Sequence, residues 1–175
     1  MENQIKNGYV KLQKPTMYRR TVAKTERHLL DIDLNHLDVD KLLMYKKGIP
    51  SGYMLRVIDR KMFEEGKRHK FSSNFLKAYP DYTSFQNGGF GYYVLEKEKI
   101  VAGISAFIRY QTGVEVKVAV LPEHRGKHLA RALSATFLME CKVRNLYPWW
   151  DCSCPATIHI AKELGYYLKQ NAPAC

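Results

Sequence analysis

The stretch from Val114 to Leu146 constrains the fold of this chain more than any other. Val114, Val116, Val118 and Val120 recur at every second residue, so they share one face of a β-strand. Leu129, Leu133, Phe137 and Cys141 recur at every fourth residue, and Ala130, Leu138 and Met139 widen that stripe. This spacing predicts an amphipathic helix from Leu129 to about Arg144. Asn145 suits a left-handed helix end, and Leu146 supplies the apolar contact that follows one. Between strand and helix runs Leu121-Pro122-Glu123-His124-Arg125-Gly126-Lys127-His128, a basic turn with one glycine. The first amides of a helix lack carbonyl partners, and the helix dipole adds positive charge at that end. A basic glycine loop at a helix start is therefore an anion site in outline. An ordinary βα connection has the same outline, so the ligand must be argued from the surrounding elements.

Those elements follow from caps and periodicity. Leu29, Leu30, Ile32, Leu34 and Leu37 mark a buried segment after a polar, loosely ordered start over 1–15. Asp38 caps a helix from Val39 to Lys47, closed by Gly48. Tyr53 to Ile58 alternates as a strand. Asp59 caps a short helix from Arg60 to Glu65, with Gly66 as its stop. Asn74 to Ala78 is a helical segment before Pro80, and Asp81 caps another through Asn87, ended by Gly88-Gly89. Gly91–Leu95, Ile100–Arg109 and the opening strand form an antiparallel meander. Tyr147 to Cys152 is a buried strand, parallel to its predecessor because a helix crosses between them. Thr157 to Leu164 is a helix stopped by Gly165, and Tyr166-Tyr167-Leu168 is a last short strand.

Composition narrows the class. The 175 residues suit one domain, and 46% apolar with 26% charged residues is ordinary for a globular chain. No apolar run reaches membrane-span length, and no secretory leader pattern opens the chain, so a cytoplasmic protein is expected. Cys152 and Cys154 form a C-x-C without the second cysteine pair of a zinc site, so no metal is expected and the thiols are read as reduced. The formal charge of +11 suits an anionic partner such as a nucleotide cofactor. Nucleic acid is the weaker alternative, because the aromatic residues do not interleave with the basic ones.

Arg125-Gly126-Lys127-His128-Leu129-Ala130 resembles the pyrophosphate-binding motif of the GNAT superfamily of N-acetyltransferases, Gln/Arg-x-x-Gly-x-Gly/Ala. Val118 to Arg131 is similar to that family's longer run around the motif. Tyr147-Pro148-Trp149-Trp150-Asp151 and Ala161-Lys162-Glu163-Leu164-Gly165-Tyr166 resemble a later strand and helix end of one branch, and the segment from Ser84 through Gly88-Gly89-Phe90-Gly91 resembles its entry to the meander. The element order is also the family's, and the match spans roughly Ser51 to Leu168.

The resemblance implies an α+β fold of three layers: a mixed, mostly antiparallel sheet with two splayed parallel central strands and flanking helices. Residues 1–50 would form a basic arm and helical extension, and 51–175 a GNAT-like catalytic unit. It implies acetyl-CoA as co-substrate, held where Val114–Val120 and Tyr147–Cys152 splay apart. The backbone of Val118, Ala119 and Val120 would meet the pantetheine arm like an added strand. Arg125, Gly126, Lys127, His128, Leu129, Ala130 and Arg131 would hold the pyrophosphate, and an amine would attack the thioester directly. Glu115 is the first candidate base and Asp151 the second; His124, His128 and His159 are further candidates. Three positions depart from the pattern. His128 replaces a glycine, Ala161 stands where the family has a tyrosine acid, and Cys154 replaces the asparagine that opens the last helix beside the cofactor. That leaves Tyr166, Tyr167, water or spontaneous thiolate release, with an acyl-cysteine route through Cys152 or Cys154 as the minor alternative. The few residues after Gly165 leave little room for the family's closing hairpin, so either that wall is absent or a homodimer supplies it by strand exchange. The other functional class is a non-catalytic acyl-CoA sensor.

Overall fold

The computed structural model describes residues 28–152 and 154–168. In order, the chain forms β1 (His28–Asp31), α1 (Val39–Lys47), β2 (Tyr53–Val57), α2 (Arg60–Arg68), α3 (Lys70–Ser73) and α4 (Tyr82–Gly88). Then come β3 (Gly91–Glu96), β4 (Lys99–Arg109), β5 (Gly113–Val120), α5 (Leu129–Arg144), β6 (Tyr147–Trp149), β7 (Asp151–Cys152), α6 (Pro155–Glu163) and β8 (Tyr167–Leu168). The arm expected over 1–15 and Cys175 lie outside the described residues. Among the described residues, no helix is long and apolar enough to cross a membrane.

Five strands make a mixed sheet in the order β2-β3-β4-β5-β6, antiparallel except for the β5–β6 pair. Successive strand residues point to opposite faces, and both faces are covered. Val94, Val114 and Val116 pack with Leu42 of α1 and with Leu133 and Phe137 of α5. Tyr93 and Ile100 pack on the other face with Phe63, Phe75, Leu76 and Phe85 from the α2–α4 region. Leu30, Ile32 and Leu42 belong to the same core as α5.

The caps read from sequence hold α1 and α4. The Asp38 carboxylate accepts the Lys41 amide at 3.0 Å, and Asp81 forms a reciprocal box with Ser84. Three local expectations need correction. Gly66 does not stop a helix: α2 runs through it to Arg68, because Gly66 lies under Tyr93 and an added Cβ would stand 2.5 Å from the tyrosine oxygen. The following helical turn is Lys70–Ser73 rather than Asn74–Ala78, since the His69 carbonyl accepts the Ser73 amide and starts it early. The strand expected over Tyr147–Cys152 breaks at Trp150 into β6 and β7, because the two halves pair in different sheets.

That break leads to a strand the sequence reading lacks. β1 is the middle strand of a second sheet, β7-β1-β8, antiparallel to both neighbours. The chain's own β1 lies between β7 and β8. The Tyr147 hydroxyl donates to the Asp31 carboxylate and accepts the Ile32 amide at 3.3 Å, which locks β1 to β6.

Candidate active site

The β5–β6 register ends at the pair Glu115–Trp149. Beyond it β5 continues to Val120 with β4 on one side, while the chain on the other side turns away through Trp150 into β7. The two parallel strands therefore splay. A cavity of about 630 Å³ opens in the gap, floored by Val118, Ala119 and Val120 and walled by Trp150 and by Cys154, Thr157 and Ile160 of the α6 region. A pocket of this size suits a small-molecule ligand or part of a larger one.

The basic loop closes one end. Pro122–His124 form a single 3-10 turn, and α5 then begins after His128, whose carbonyl accepts the Ala132 amide at 3.1 Å. The amides of Leu129, Ala130 and Arg131 precede that first bond and face the helix entrance. Gly126 has φ 74 and His128 has φ 62, both left-handed. A Cβ on Gly126 would meet nothing within 4 Å, so glycine is used there for its backbone freedom. His128 adopts the same conformation with a side chain, which explains why a glycine suits this position better. Its ring is exposed and lines the cavity.

The residues named from the resemblance divide clearly. Val118, Ala119, Val120, Arg125, Gly126, His128, Leu129, Ala130, Arg131 and Cys154 all line the cavity. Lys127 does not: its ammonium donates to the Tyr53 hydroxyl at 2.7 Å and lies 5.3 Å from that ring's centroid. The Tyr53 hydroxyl also lies 3.0 Å from Nδ1 of His124, whose side chain is buried and lines the cavity. Lys127 thus ties the loop to β2, a role its position in the motif does not reveal. Arg125 Nε donates to the Val120 carbonyl at 3.4 Å, and Arg131 lies 3.6 Å from Glu163 and over the Tyr45 ring at 4.5 Å.

Glu115 and Asp151 are not in the cavity lining. Glu115 is 8% exposed and accepts the Tyr110 hydroxyl at 3.5 Å, on the face of β5 opposite the valines. Asp151 lies on β7, in register with Leu29. The three candidate histidines come together: the buried His124 and the exposed His128 and His159 all line the cavity. Tyr166 is fully buried and donates to the Pro148 carbonyl at 3.1 Å, and burial holds its phenol protonated well above the ordinary range. Tyr167 is exposed on β8. The Cys154 thiol stands at the N-cap of α6. The Thr157 and Ala156 amides, aided by the charge of Arg125, lower its pKa, whereas burial pushes Cys152 up to about 12. Among the described residues, no three His, Cys, Asp or Glu side chains gather as a metal site requires.

The splayed parallel pair, the stretch of β5 that β6 no longer pairs and the basic loop at a helix start form one arrangement. A model of the GNAT acetyltransferase family matches residues 9–175. The chain belongs to this family. A similar curated relative is the uncharacterized N-acetyltransferase YdfB of Bacillus subtilis (strain 168), 27% identical over 121 residues, which is 67% of this chain and 46% of the relative. The crystal structure of a GCN5-related N-acetyltransferase-like protein from Streptococcus suis 89/1591 superposes with a TM-score of 0.76 at 29% identity, covering 82% of this chain and 57% of that one. The chain thus spans about half the length of these two relatives. A structure of a Clostridium acetobutylicum protein, titled a predicted acetyltransferase with acetyl-CoA, shares the GNAT fold at a TM-score of 0.50 and 16% identity, over 70% of this chain and 95% of that one.

Proposed function

We propose that this chain is an acetyl-CoA-dependent N-acetyltransferase that moves the acyl group directly to an amine. The observation that carries the reading is the cavity itself. It joins the β5 edge at Val118–Val120, past the last pair with β6, to the first amides of α5 at Leu129–Arg131 and to the cations of Arg125 and Arg131. The donor set fits the cofactor: strand-edge groups for an amide-bearing arm, and helix-start amides with guanidinium groups for a pyrophosphate.

A bound acyl thioester supplies an electrophilic carbonyl carbon and a thiolate leaving group. The C–N bond forms as the C–S bond breaks, and the proton lost by the amine balances the one gained by the departing sulfur. On this reading, a β5 amide hydrogen-bonds the developing oxyanion. Glu115 is the base we favour, reached from the face opposite α5, because it lies on β5 at the last pair before the splay. With Tyr166 buried against Pro148 and Ala161 at the usual tyrosine position, water is the proton source we favour for the leaving sulfur, ahead of the exposed Tyr167.

Calorimetry with acetyl-CoA tests the cofactor assignment, and thiol release with a panel of amines tests the activity. Arg125→Ala is expected to weaken acetyl-CoA binding by about 1–3 kcal/mol, the value of a lost charged hydrogen bond. No binding of acetyl-CoA at millimolar concentration would overturn the reading. Binding without thiol release from any amine would favour the sensor class.

A further inference from the structure

The cofactor reading makes no use of His124, yet its ring reaches the same cavity. His124 ends the 3-10 turn Pro122–His124, where its amide donates to the Leu121 carbonyl at 2.9 Å. Its side chain is only 10% exposed. One ring nitrogen is taken: Nδ1 lies 3.0 Å from the Tyr53 hydroxyl. Nε2 makes no hydrogen bond among the described residues. Ser134 Oγ is the only side-chain N or O atom among them that is both sealed off and unpartnered, so Nε2 faces open space. The open space that His124 lines is the cavity, beside Val120, Arg125 and Gly126. A nearly buried imidazole thus turns one unpartnered nitrogen toward the place of the ligand.

Which nitrogen carries the ring proton follows from the neighbours. An ammonium donates and never accepts, so the 2.7 Å contact from Lys127 makes the Tyr53 oxygen an acceptor. That donation polarises the phenol and strengthens its own O–H as a donor. The hydroxyl proton then goes to Nδ1, which is the bare nitrogen. The Glu96 carboxylate does not compete, because its Oε2 lies 4.0 Å from Nδ1, beyond hydrogen-bond reach. Its charge near the ring is offset by the Lys127 ammonium, on which it also acts. A neutral imidazole has one bare and one protonated nitrogen, so Nε2 holds the proton. Donation runs one way, from Lys127 to Tyr53 to His124, and ends as an N–H open to the cavity.

We propose that neutral His124 binds the cofactor, donating its Nε2–H to a pyrophosphate oxygen of acyl-CoA, and that Tyr53 and Lys127 are positioning residues that fix its tautomer. The inference rests on the acyl-CoA reading above. The oxygen is assigned to the pyrophosphate because Arg125 and Gly126, which share the cavity wall with His124, belong to the basic loop. Lys127 then serves the phosphate site without lining it. His124 also leaves the set of candidate bases, since a nitrogen that already holds its proton cannot take one from an amine.

Two measurements on the full chain test this. Long-range 1H–15N NMR with labelled histidine reads the tautomer without any ligand, and the signals lost in His124→Gln assign the ring. At about pH 8, above the ordinary titration range of histidine, His124 is expected to show a protonated Nε2 and a bare Nδ1. A bare Nε2 or a doubly protonated ring overturns the proposal. Tyr53→Phe should mix the two tautomers, and an unchanged ring overturns the positioning role. Acetyl-CoA and ADP should each shift the Nε2–H signal, whereas S-acetylpantetheine, which lacks the pyrophosphate, should not; an equal shift with S-acetylpantetheine overturns the assignment to the pyrophosphate. Calorimetry is the second readout. His124→Leu should weaken acetyl-CoA binding about tenfold, the scale of a hydrogen bond to a charged group, with S-acetylpantetheine binding unaltered. His124→Gln keeps a donor of similar reach and should lose less. Equal acetyl-CoA affinity in wild type and His124→Leu overturns the proposal. Failure of acetyl-CoA to bind the unaltered chain sinks the cofactor reading and this ligand with it, whereas binding that leaves the His124 signals unmoved sinks the role of His124 alone.

Discussion

Replacing Gly66 by alanine sets two effects of opposite sign against each other. Gly66 lies inside α2, where alanine is favoured over glycine by about 1 kcal/mol of helix propensity. The new Cβ, however, would stand 2.5 Å from the Tyr93 hydroxyl oxygen and 3.1 Å from two of its ring atoms. Tyr93 is fully buried between α2 and β4, so it cannot simply swing away. Overpacking of this kind costs about 1–3 kcal/mol. Tyr93 also donates to the Ser72 carbonyl at 3.1 Å in the interior, and a shifted ring would leave that acceptor unpaired for about 1–3 kcal/mol more. The contacts win over propensity, and the expected net loss is about 1–5 kcal/mol. Urea denaturation with linear extrapolation measures it directly. For a chain of this size, each kcal/mol moves Tm by about 2–4 °C. Tyr93→Phe removes the atom at closest approach, so the double variant should be more stable than the sum of the single losses predicts, with a coupling of about 1 kcal/mol or more. A Gly66→Ala variant that is more stable than wild type, or strictly additive losses, would refute the packing argument.

Other perturbations address the site. His128→Gly relieves a left-handed residue at α5, so the protein should keep or gain up to about 1 kcal/mol of stability and bind acetyl-CoA at least as well; a destabilised variant in urea melts would show that the ring makes an unrecognised contact. Iodoacetamide near neutral pH should alkylate Cys154 well before the buried Cys141 and Cys152, whose thiols burial holds protonated, and acetyl-CoA should slow that reaction; peptide mapping reads both outcomes. The Asp81 carboxyl is held below its ordinary 3.8, first by the Ser84 amide and then by the Ser84 hydroxyl. Its folded pKa is lower than its unfolded one, so its contribution is complete above the unfolded value and is lost as pH falls through the folded value. The stability gap between wild type and Asp81→Asn should therefore narrow from neutral pH to about pH 3, and a constant gap in urea melts would contradict the cap.

What could be read from the residues was whatever local patterns encode. The alternating valines, the four-residue stripe of α5 and the left-handed Asn145 turn are each decided within a few positions, and each appears as read. The cavity loop was legible for the same reason. Gly66 was misread because a stop and a close approach both call for glycine, and only Tyr93, far along the chain, distinguishes them. β1 was missed because four residues carry no periodicity of their own; its strand character comes from β7 and β8 on either side. The bond from Lys127 to Tyr53 of β2 was not legible either, because the two residues lie far apart in the chain.

The insertion of β1 also sets an order of assembly. The meander and α5 join segments that follow one another closely, so they close small loops. β1 must instead meet Cys152 and Leu168, near the far end of the described chain, and such distant closure is slow to reward its entropy. The sheet behind β7 is therefore expected to complete last, after the cavity's other walls are in place. Native-state hydrogen exchange should find its amides opening at lower free energy than those of β4 and β5. A protein in this state would hold its basic loop and its strand edge while the flank past Trp150 still breathes, so ligand entry and the final step of folding would share one doorway.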